Sequence, residues 1–243
     1  MTPGIPGLSL ALILGTTAPH APAAPRDENA FPVVLGSFAT TLVGSLPDRT
    51  ANIRLCASAL DGVELGPGDE LSFNRVVGPR TTAAGYRTAP VILREARDFQ
   101  LGGGICQVST TLFVAALLAG LEPAERHRHS SPVDYVALGQ DATVSWGAKD
   151  LRVRNPLEQR VRLRVEVVGT TLAARLEGEE PGEGRFELAT EERALPETSA
   201  GGAPGREIEL FRVHLIDDVE IGREMVHRDV YPARAARREA SSR

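Results

Sequence analysis

The chain is poor in cysteine, in lysine and in long apolar runs, and each shortage excludes a class of protein. Its two cysteines, Cys56 and Cys106, are too few for a small disulfide-rich scaffold in a chain of 243 residues. No segment carries the roughly 20 apolar residues that a transmembrane helix needs. Lys149 is the only lysine, and a net charge of −5 argues against nucleic acid as a partner. With these classes excluded, the hydrophobic content of 42% is that of an ordinary globular protein.

The N-terminus resembles an export signal. Residues 8–14 (LSLALIL) form a short apolar run, and residues 21–23 (APA) resemble a small-x-small cleavage site. We therefore expect a signal peptide over residues 1–24 and a mature protein in the periplasm, the cell wall or the extracellular space. The alternative is an unstructured start of an intracellular protein, because no Lys or Arg precedes the apolar run.

Hydrophobic periodicity predicts an α+β fold for residues 33–177. We expect an antiparallel β meander that packs on one buried central helix over residues 106–119, with a second helix near 49–60. Residues 74–89 are predicted to form a loop. The predicted strands are 33–43, 70–73, 90–94, 125–129, 142–146, 151–154, 160–168 and 171–176.

The C-terminal third divides into three predicted segments. Residues 178–205 are acidic and rich in Gly, Pro and Thr, so we expect a flexible insertion there. Alternation returns over residues 206–232 and predicts a β-hairpin. The arginine-rich residues 233–243 are predicted to be a disordered tail.

The most informative stretch is residues 102–107 (GGGICQ), where three glycines lead into a cysteine that opens the apolar helix. A thiol at a helix start lies near backbone N–H donors and the positive end of the helix dipole, which favours the thiolate. Cys106 is therefore a candidate nucleophile, with His129 as its base. Asp141 or Asp150 would orient the imidazole. Gln107 or the N–H group of Cys106 would stabilise an oxyanion.

A non-catalytic binding site is the competing hypothesis. Gly102, Gly103 and Gly104, together with the helix start, form a potential anion site for a carboxylate. Arg126 or Arg128 would clamp that carboxylate, with Ser130 in the same stretch. Three aromatic side chains would either stack on a sugar or peptide or belong to the core: Tyr86, Tyr135 and Trp146.

Three further alternatives stay open. Cys56 and Cys106 could pair as a disulfide, which would remove the nucleophile. His127, His129, Cys106 and Asp141 are compatible with zinc, although a His-x-His pair alone is a weak signal. The glycines and Cys106 could also serve packing alone. The sequence shows no cofactor motif and leaves the oligomeric state open.

Several short motifs follow one another in order between residues 67 and 156. They are 67–74 (PGDELSFN), 77–81 (VGPRT), 85–86 (GY), 102–107 (GGGICQ), 126–130 (RHRHS), 139–142 (GQDA), 150–151 (DL) and 155–156 (NP). Together they resemble the VanW-like family, named for an accessory protein of vancomycin-resistance clusters, and the resemblance covers roughly residues 38–165. It implies a bacterial cell-envelope setting and peptidoglycan or its peptide precursors as the partner, but no established reaction.

Overall fold

The computed structural model describes residues 28–93, 96–196 and 204–233. A 3-10 turn (Glu28–Ala30) is followed by three helices: α1 (Pro47–Leu60), α2 (Phe73–Val77) and α3 (Ile105–Leu118). The strands are β1 (Val33–Thr41), β2 (Glu64–Leu65), β3 (Glu70–Ser72), β4 (Thr88–Leu93), β5 (Ala96–Leu101), β6 (Glu122–Glu125), β7 (Arg152–Arg154), β8 (Val161–Val168), β9 (Thr171–Gly178), β10 (Arg185–Ala194), β11 (Arg206–Ile216) and β12 (Val219–Tyr231). All strand pairings are antiparallel, and the predicted α+β class is confirmed.

The main sheet has the strand order β1-β9-β8-β2. Alternate residues of β9 face the core, namely Leu172, Ala174 and Leu176, and all three are fully buried. Helix α3 packs on β1 and β9, while α1 packs on β8. Because α3 carries no charged residue, it can be covered on nearly every side, as the sequence predicts.

A glycine sets the distance between α3 and the sheet. A Cβ atom at Gly36 in β1 would lie 2.3 Å from the backbone nitrogen of Ala119, just after the helix. Strand β1 also has a register irregularity between Val34 and Gly36. The close approach of two backbones therefore requires a residue without a side chain at this point.

Helix α2 and two small sheets surround the start of α3. One sheet has the order β3-β7-β6, and the other is the β4–β5 hairpin that leads directly into the glycines. The structure has α2 where the sequence predicts the loop 74–89 to begin, because Ser72 caps it by accepting a hydrogen bond from the N–H of Arg75. Strand β5 is a further element that the sequence analysis did not identify.

Two predicted strands are wrong. Residues 126–129 leave the sheet after β6, because the backbone of His129 binds a side chain instead of a neighbouring strand. Residues 142–146 contain only an isolated bridge, since the N–H and carbonyl of Ala142 both bind side chains of α3. Both segments are irregular because side chains satisfy their backbone groups.

The C-terminal part forms a third sheet with the order β10-β11-β12. Strands β11 and β12 pair antiparallel in the region where the sequence predicts a hairpin, and they turn at Asp217 and Asp218 with φ values of 48° and 63°. The prediction of a flexible insertion over 178–205 is wrong for β10, which pairs with β11 along its whole length. Residues 197–203 lie outside the described residues.

The predicted signal peptide over 1–24 also lies outside the described residues, as do residues 234–243 of the predicted tail. Within the described ranges, no helix combines the length and the apolar character needed to cross a membrane.

Candidate active site

Cys106 is the second residue of α3, and the local backbone explains its position. Gly104 is the N-cap with φ of +103°, and Gly102 has φ of +78°, so both adopt a conformation that favours glycine. The thiol is half-buried. The N–H group of Cys106 belongs to the first helical turn, where backbone donors have no intrahelical acceptor.

Two hydroxyl groups of α3 hold the opposite wall of the site. Ser109 donates to the carbonyl of Ala142 at 2.6 Å, and Thr110 accepts from the N–H of Ala142 at 3.0 Å. These residues lie one turn after Cys106, on an otherwise apolar helix. Their hydrogen bonds hold residues 141–144 opposite the thiol. Polar residues within an otherwise apolar helix are the sequence signal that could have indicated this role.

Asp141 fixes His129 in two ways. One carboxylate oxygen of Asp141, Oδ2, accepts hydrogen bonds from the backbone N–H of His129 and from its ring Nδ1, both at 2.6 Å. Because Nδ1 is occupied, Nε2 is the ring nitrogen left for the thiol. The imidazole of His129 lowers the pKa of the Cys106 thiol, and the thiol in turn raises the pKa of the imidazole, so the two groups interact. The structure therefore brings together three of the predicted residues, in the order thiol, imidazole, carboxylate.

Two more groups contact the sulfur. The Sγ atom of Cys106 lies 3.4 Å from Oγ1 of Thr143 and 3.5 Å from the carbonyl oxygen of Val144. The N–H of Thr143 in turn donates to the carbonyl of His127 at 2.7 Å. The segment that carries Asp141 thus also positions the thiol.

The charges of the triad favour an ion pair between thiolate and imidazolium. Burial alone would raise the pKa of Cys106, but the imidazole and positive charge of His129, with Thr143 and Val144, outweigh burial and lower it. Burial lowers the pKa of His129, whereas Asp141 and Cys106 raise it to about 9. Despite burial, contacts with His129 and Arg126 hold the pKa of Asp141 below its usual range.

Arg126 lies behind Asp141 rather than at the ligand side. Its Nη1 contacts both carboxylate oxygens of Asp229, at 2.8 and 2.7 Å, and its Nη2 donates to Oδ1 of Asp141 at 3.1 Å. The Arg126 side chain is 7% exposed. It is therefore engaged with two carboxylates of this chain, and the sequence analysis missed Asp229.

Asp150 does not reach His129. Its carboxylate accepts from the hydroxyl of Ser72 at 2.5 Å and from the N–H of Asn74 at 2.8 Å, at the start of α2. Of the two predicted alternatives for orienting the imidazole, the structure brings Asp141 to His129 and places Asp150 at a helix start.

Gln107 points away from the thiol. Its Nε2 donates to Oγ1 of Thr40 and to the carbonyl of Thr41, both at 2.9 Å, and its Oε1 accepts from Arg49 at 2.8 Å. The amide is thus fully engaged on the β1 side of α3. The predicted contribution of its side chain to an oxyanion site has no support in this geometry, which leaves the N–H of Cys106.

The predicted ligand residues are dispersed. A Cβ at Gly103 would lie 2.4 Å from the carbonyl oxygen of Ala89, so this glycine serves close packing. Arg128 donates to the carbonyl of His129 and lies over the ring of Tyr231, 4.9 Å from its centroid. Ser130 is exposed beside His129.

The aromatic residues also separate. Tyr86 is buried in the core, and Tyr135 is half-buried near Thr110. Trp146 is 52% exposed, so of its two predicted places the structure excludes the core. It follows Val144, whose carbonyl contacts the thiol, so its ring is an accessible aromatic surface near the site.

The geometry fits neither a disulfide between the two cysteines nor a zinc site that includes Cys106. Both cysteines are free thiols, and Cys56 in α1 is fully buried. His127 binds Glu125 at 2.8 Å instead of turning toward Cys106. Across the described parts of the chain, no group of three or more His, Cys, Asp or Glu residues is arranged to hold a metal ion.

Comparison with known proteins identifies the family. YoaR of Bacillus subtilis, described as uncharacterized, is 43% identical over 138 residues, which cover 57% of this chain and 46% of YoaR. The vancomycin B-type resistance protein VanW of Enterococcus faecalis is 32% identical over 113 residues, which cover 44% of this chain and 41% of VanW. The chain thus matches less than half the length of each relative.

No solved structure matches the chain. The profile of the family described as VanW like protein matches residues 48–177, more than half of the chain and the part that contains Cys106, His129 and Asp141. This match agrees with the motifs quoted above, and the chain belongs to the VanW-like family.

Proposed function

We propose that this protein is a cysteine-dependent acyl transferase or hydrolase. The observation that carries the proposal is the arrangement of Cys106, His129 and Asp141, in which the Asp141 carboxylate binds Nδ1 of the imidazole and His129 lowers the pKa of the Cys106 thiol. Nucleophile, base and orienting acid are the three groups that acyl transfer through a thiol requires.

The geometry supports a two-step reaction. The thiolate of Cys106 attacks the carbonyl carbon of an amide, an S–C bond forms, and the negative charge on oxygen faces the N–H of Cys106. The C–N bond then breaks as His129 gives its proton to the leaving nitrogen. Water or an amine next attacks the thioester and returns a proton to His129, and the S–C bond breaks to restore the thiolate.

The proposed substrates are peptidoglycan peptides or their precursors, outside the cytoplasm. The apolar run over residues 8–14 supports export. A relative named as a vancomycin resistance protein supports a role in the bacterial envelope. Non-catalytic binding to the cell wall or a role in envelope assembly is the alternative.

The rate of Cys106 alkylation by iodoacetamide, measured against pH, tests the proposal. In a Cys56→Ala background we expect the rate to titrate below the free-thiol pKa of about 8.5, because His129 stabilises the thiolate. His129→Ala removes that stabilisation, so the midpoint moves upward and the rate at pH 7 falls several-fold.

His127→Ala is the matched control, since its ring binds Glu125 and does not contact the thiol. We expect its alkylation profile to follow that of the parent protein. A thiol that titrates as a free cysteine with or without His129 would contradict the catalytic proposal and leave wall binding as the function to test.

A further inference from the structure

Two arginines flank the glycines that precede Cys106. A Cβ at Gly104 would lie 2.9 Å from Cγ of Arg49, and a Cβ at Gly102 would lie 3.1 Å from Cγ of Arg80. The two glycines therefore leave space for the aliphatic stems of both arginines beside the start of α3. We call Arg49 and Arg80 the arginine pair.

Arg49 approaches from α1. Its Nη2 donates to Oε1 of Gln107 at 2.8 Å, next to Cys106 in the chain, and its Nη1 lies 3.5 Å from the hydroxyl of Ser45. Burial lowers the pKa of Arg49, while the nearby Tyr135, Asp134 and Cys106 raise it. The guanidinium is thus held by neutral groups at a position where it interacts with the charge of the thiol.

Arg80 approaches from the loop after α2. Its Nη1 donates to Oδ1 of Asn74 at 2.7 Å, and its guanidinium lies 5.8 Å from the centroid of the exposed Trp146 ring. Its Nη2 atom is buried and has no hydrogen-bond partner among the residues that the structure describes. A buried guanidinium nitrogen without an acceptor is costly, which indicates that a bound group supplies one.

Neither member of the arginine pair has an ion-pair partner within 4 Å among the described residues. The charge of Asp134 raises the pKa of Arg49 and that of Asp150 raises the pKa of Arg80, but neither pair is in contact, and Asp150 is hydrogen-bonded to Ser72 and Asn74. Arg126 differs, since it contacts two carboxylates. Neither guanidinium is neutralised by a carboxylate in contact with it in the described part of the chain, so both can pair with an anion from outside the chain.

We infer that the arginine pair binds a free carboxylate of the substrate, so that the acyl compound presented to Cys106 is an acidic peptide. This inference rests on the proposed function and specifies the substrate class of the same site. Two guanidinium groups can hold a carboxylate through parallel hydrogen bonds, and Trp146 offers an apolar surface to the rest of the peptide. The peptide's carboxylate would supply the acceptor that Nη2 of Arg80 lacks.

Two alkylating agents that differ in charge test the inference. The thiolate displaces iodide from either iodoacetate or iodoacetamide and forms one S–C bond. The ratio of the iodoacetate rate to the iodoacetamide rate therefore does not depend on the fraction of the thiol that is ionised. In Cys56→Ala protein we expect this ratio to exceed that of N-acetylcysteine. Arg49→Gln and Arg80→Gln should each lower it about two- to fivefold, the range for an exposed ion pair.

Arg54→Gln is the matched control, because Arg54 lies on α1 but is exposed and binds the carbonyl of Val167. Its ratio should equal that of the parent. N-acetyl-alanyl-alanine, which has a free carboxylate, should also slow alkylation by iodoacetamide more than its C-terminal amide does. This difference between acid and amide should be smaller in either arginine variant. A ratio equal to that of N-acetylcysteine, or equal protection by acid and amide, would overturn the inference.

The two proposals fail separately. A thiol that titrates as a free cysteine, yet shows the raised ratio and selective protection, contradicts the catalytic function and supports carboxylate binding. A thiol with a lowered pKa and an ordinary ratio supports the catalytic function and overturns carboxylate binding.

Discussion

At the scale of single residues, Asp141 determines the state of the site. Its Oδ2 atom binds both the backbone and the ring of His129, so it sets the position and the tautomer of the imidazole together. The charge on Asp141 also raises the pKa of His129. Stabilisation of the fold by that imidazolium is complete below pH 6.5 and is lost as the pH rises through about 9.

Asp141→Asn should lower the pKa of His129 from about 9 toward its ordinary value of 6.5. Burial disfavours the imidazolium, and the substitution removes a negative charge that favours it. NMR titration of the ring nitrogens would measure the change. Asp150→Asn serves as the control, and an equal shift in both variants would contradict the role given to Asp141.

The sequence predicts the types of the site residues better than their directions. The helix start predicts Cys106 as the nucleophile, and the need for a base predicts His129. The sequence does not distinguish Asp141 from Asp150 as the residue that orients the imidazole. Gln107 illustrates the limit. Successive helical residues point about 100° apart, so the neighbour of Cys106 faces β1 and Arg49 instead of the thiol.

At the scale of elements, composition predicts buried segments well and charged edge strands poorly. Helix α3 is evident because its apolar residues allow no exposed face. Strand β10 is mostly exposed and rich in glutamate, and its sequence therefore resembles an insertion. Charged residues are common on edge strands because they discourage pairing with another chain, which makes such strands hard to distinguish from loops.

Gly36→Ala should destabilise the protein by about 1–3 kcal/mol, the usual cost of overpacking. The added Cβ would lie 2.3 Å from the backbone nitrogen of Ala119, so β1 or the end of α3 must shift. Urea unfolding measures the difference.

Gly222→Ala is the matched control in another strand. Gly222 lies in β12, and a Cβ there meets nothing within 4 Å, so its effect should stay within about 0.5 kcal/mol. Equal stability of the parent and Gly36→Ala would show that β1 and α3 do not depend on this contact.

At the scale of the whole molecule, the third sheet supports a site that lies in the family-matched part of the chain. Residues 48–177 contain the triad, but Asp229 in β12 supplies the second carboxylate for Arg126. His227 in the same strand binds the carbonyl of Gly139 at 2.8 Å. The sequence offers no signal for this contact, because neither spacing nor periodicity relates residues 103 positions apart.

Asp229→Asn should lower the free energy of unfolding by about 2–4 kcal/mol. Loss of one partner of a buried ion pair commonly costs about 3–5 kcal/mol, and here Arg126 keeps its contact with Asp141. Asp218→Asn is the control in the same hairpin, since that exposed carboxylate pairs with Arg185 at the surface. Chemical unfolding compares them, and similar losses in both variants would contradict a structural role for the buried pair.

The distance along the chain between Arg126 and Asp229 has a consequence for the order of folding. A ribosome synthesises residues 48–177 well before β12, so the nascent chain holds Arg126 without its second carboxylate. The complete support of Asp141, and through it of the imidazole, forms only once the last strand has joined its sheet. Maturation of the site is thus tied to the synthesis and docking of β12.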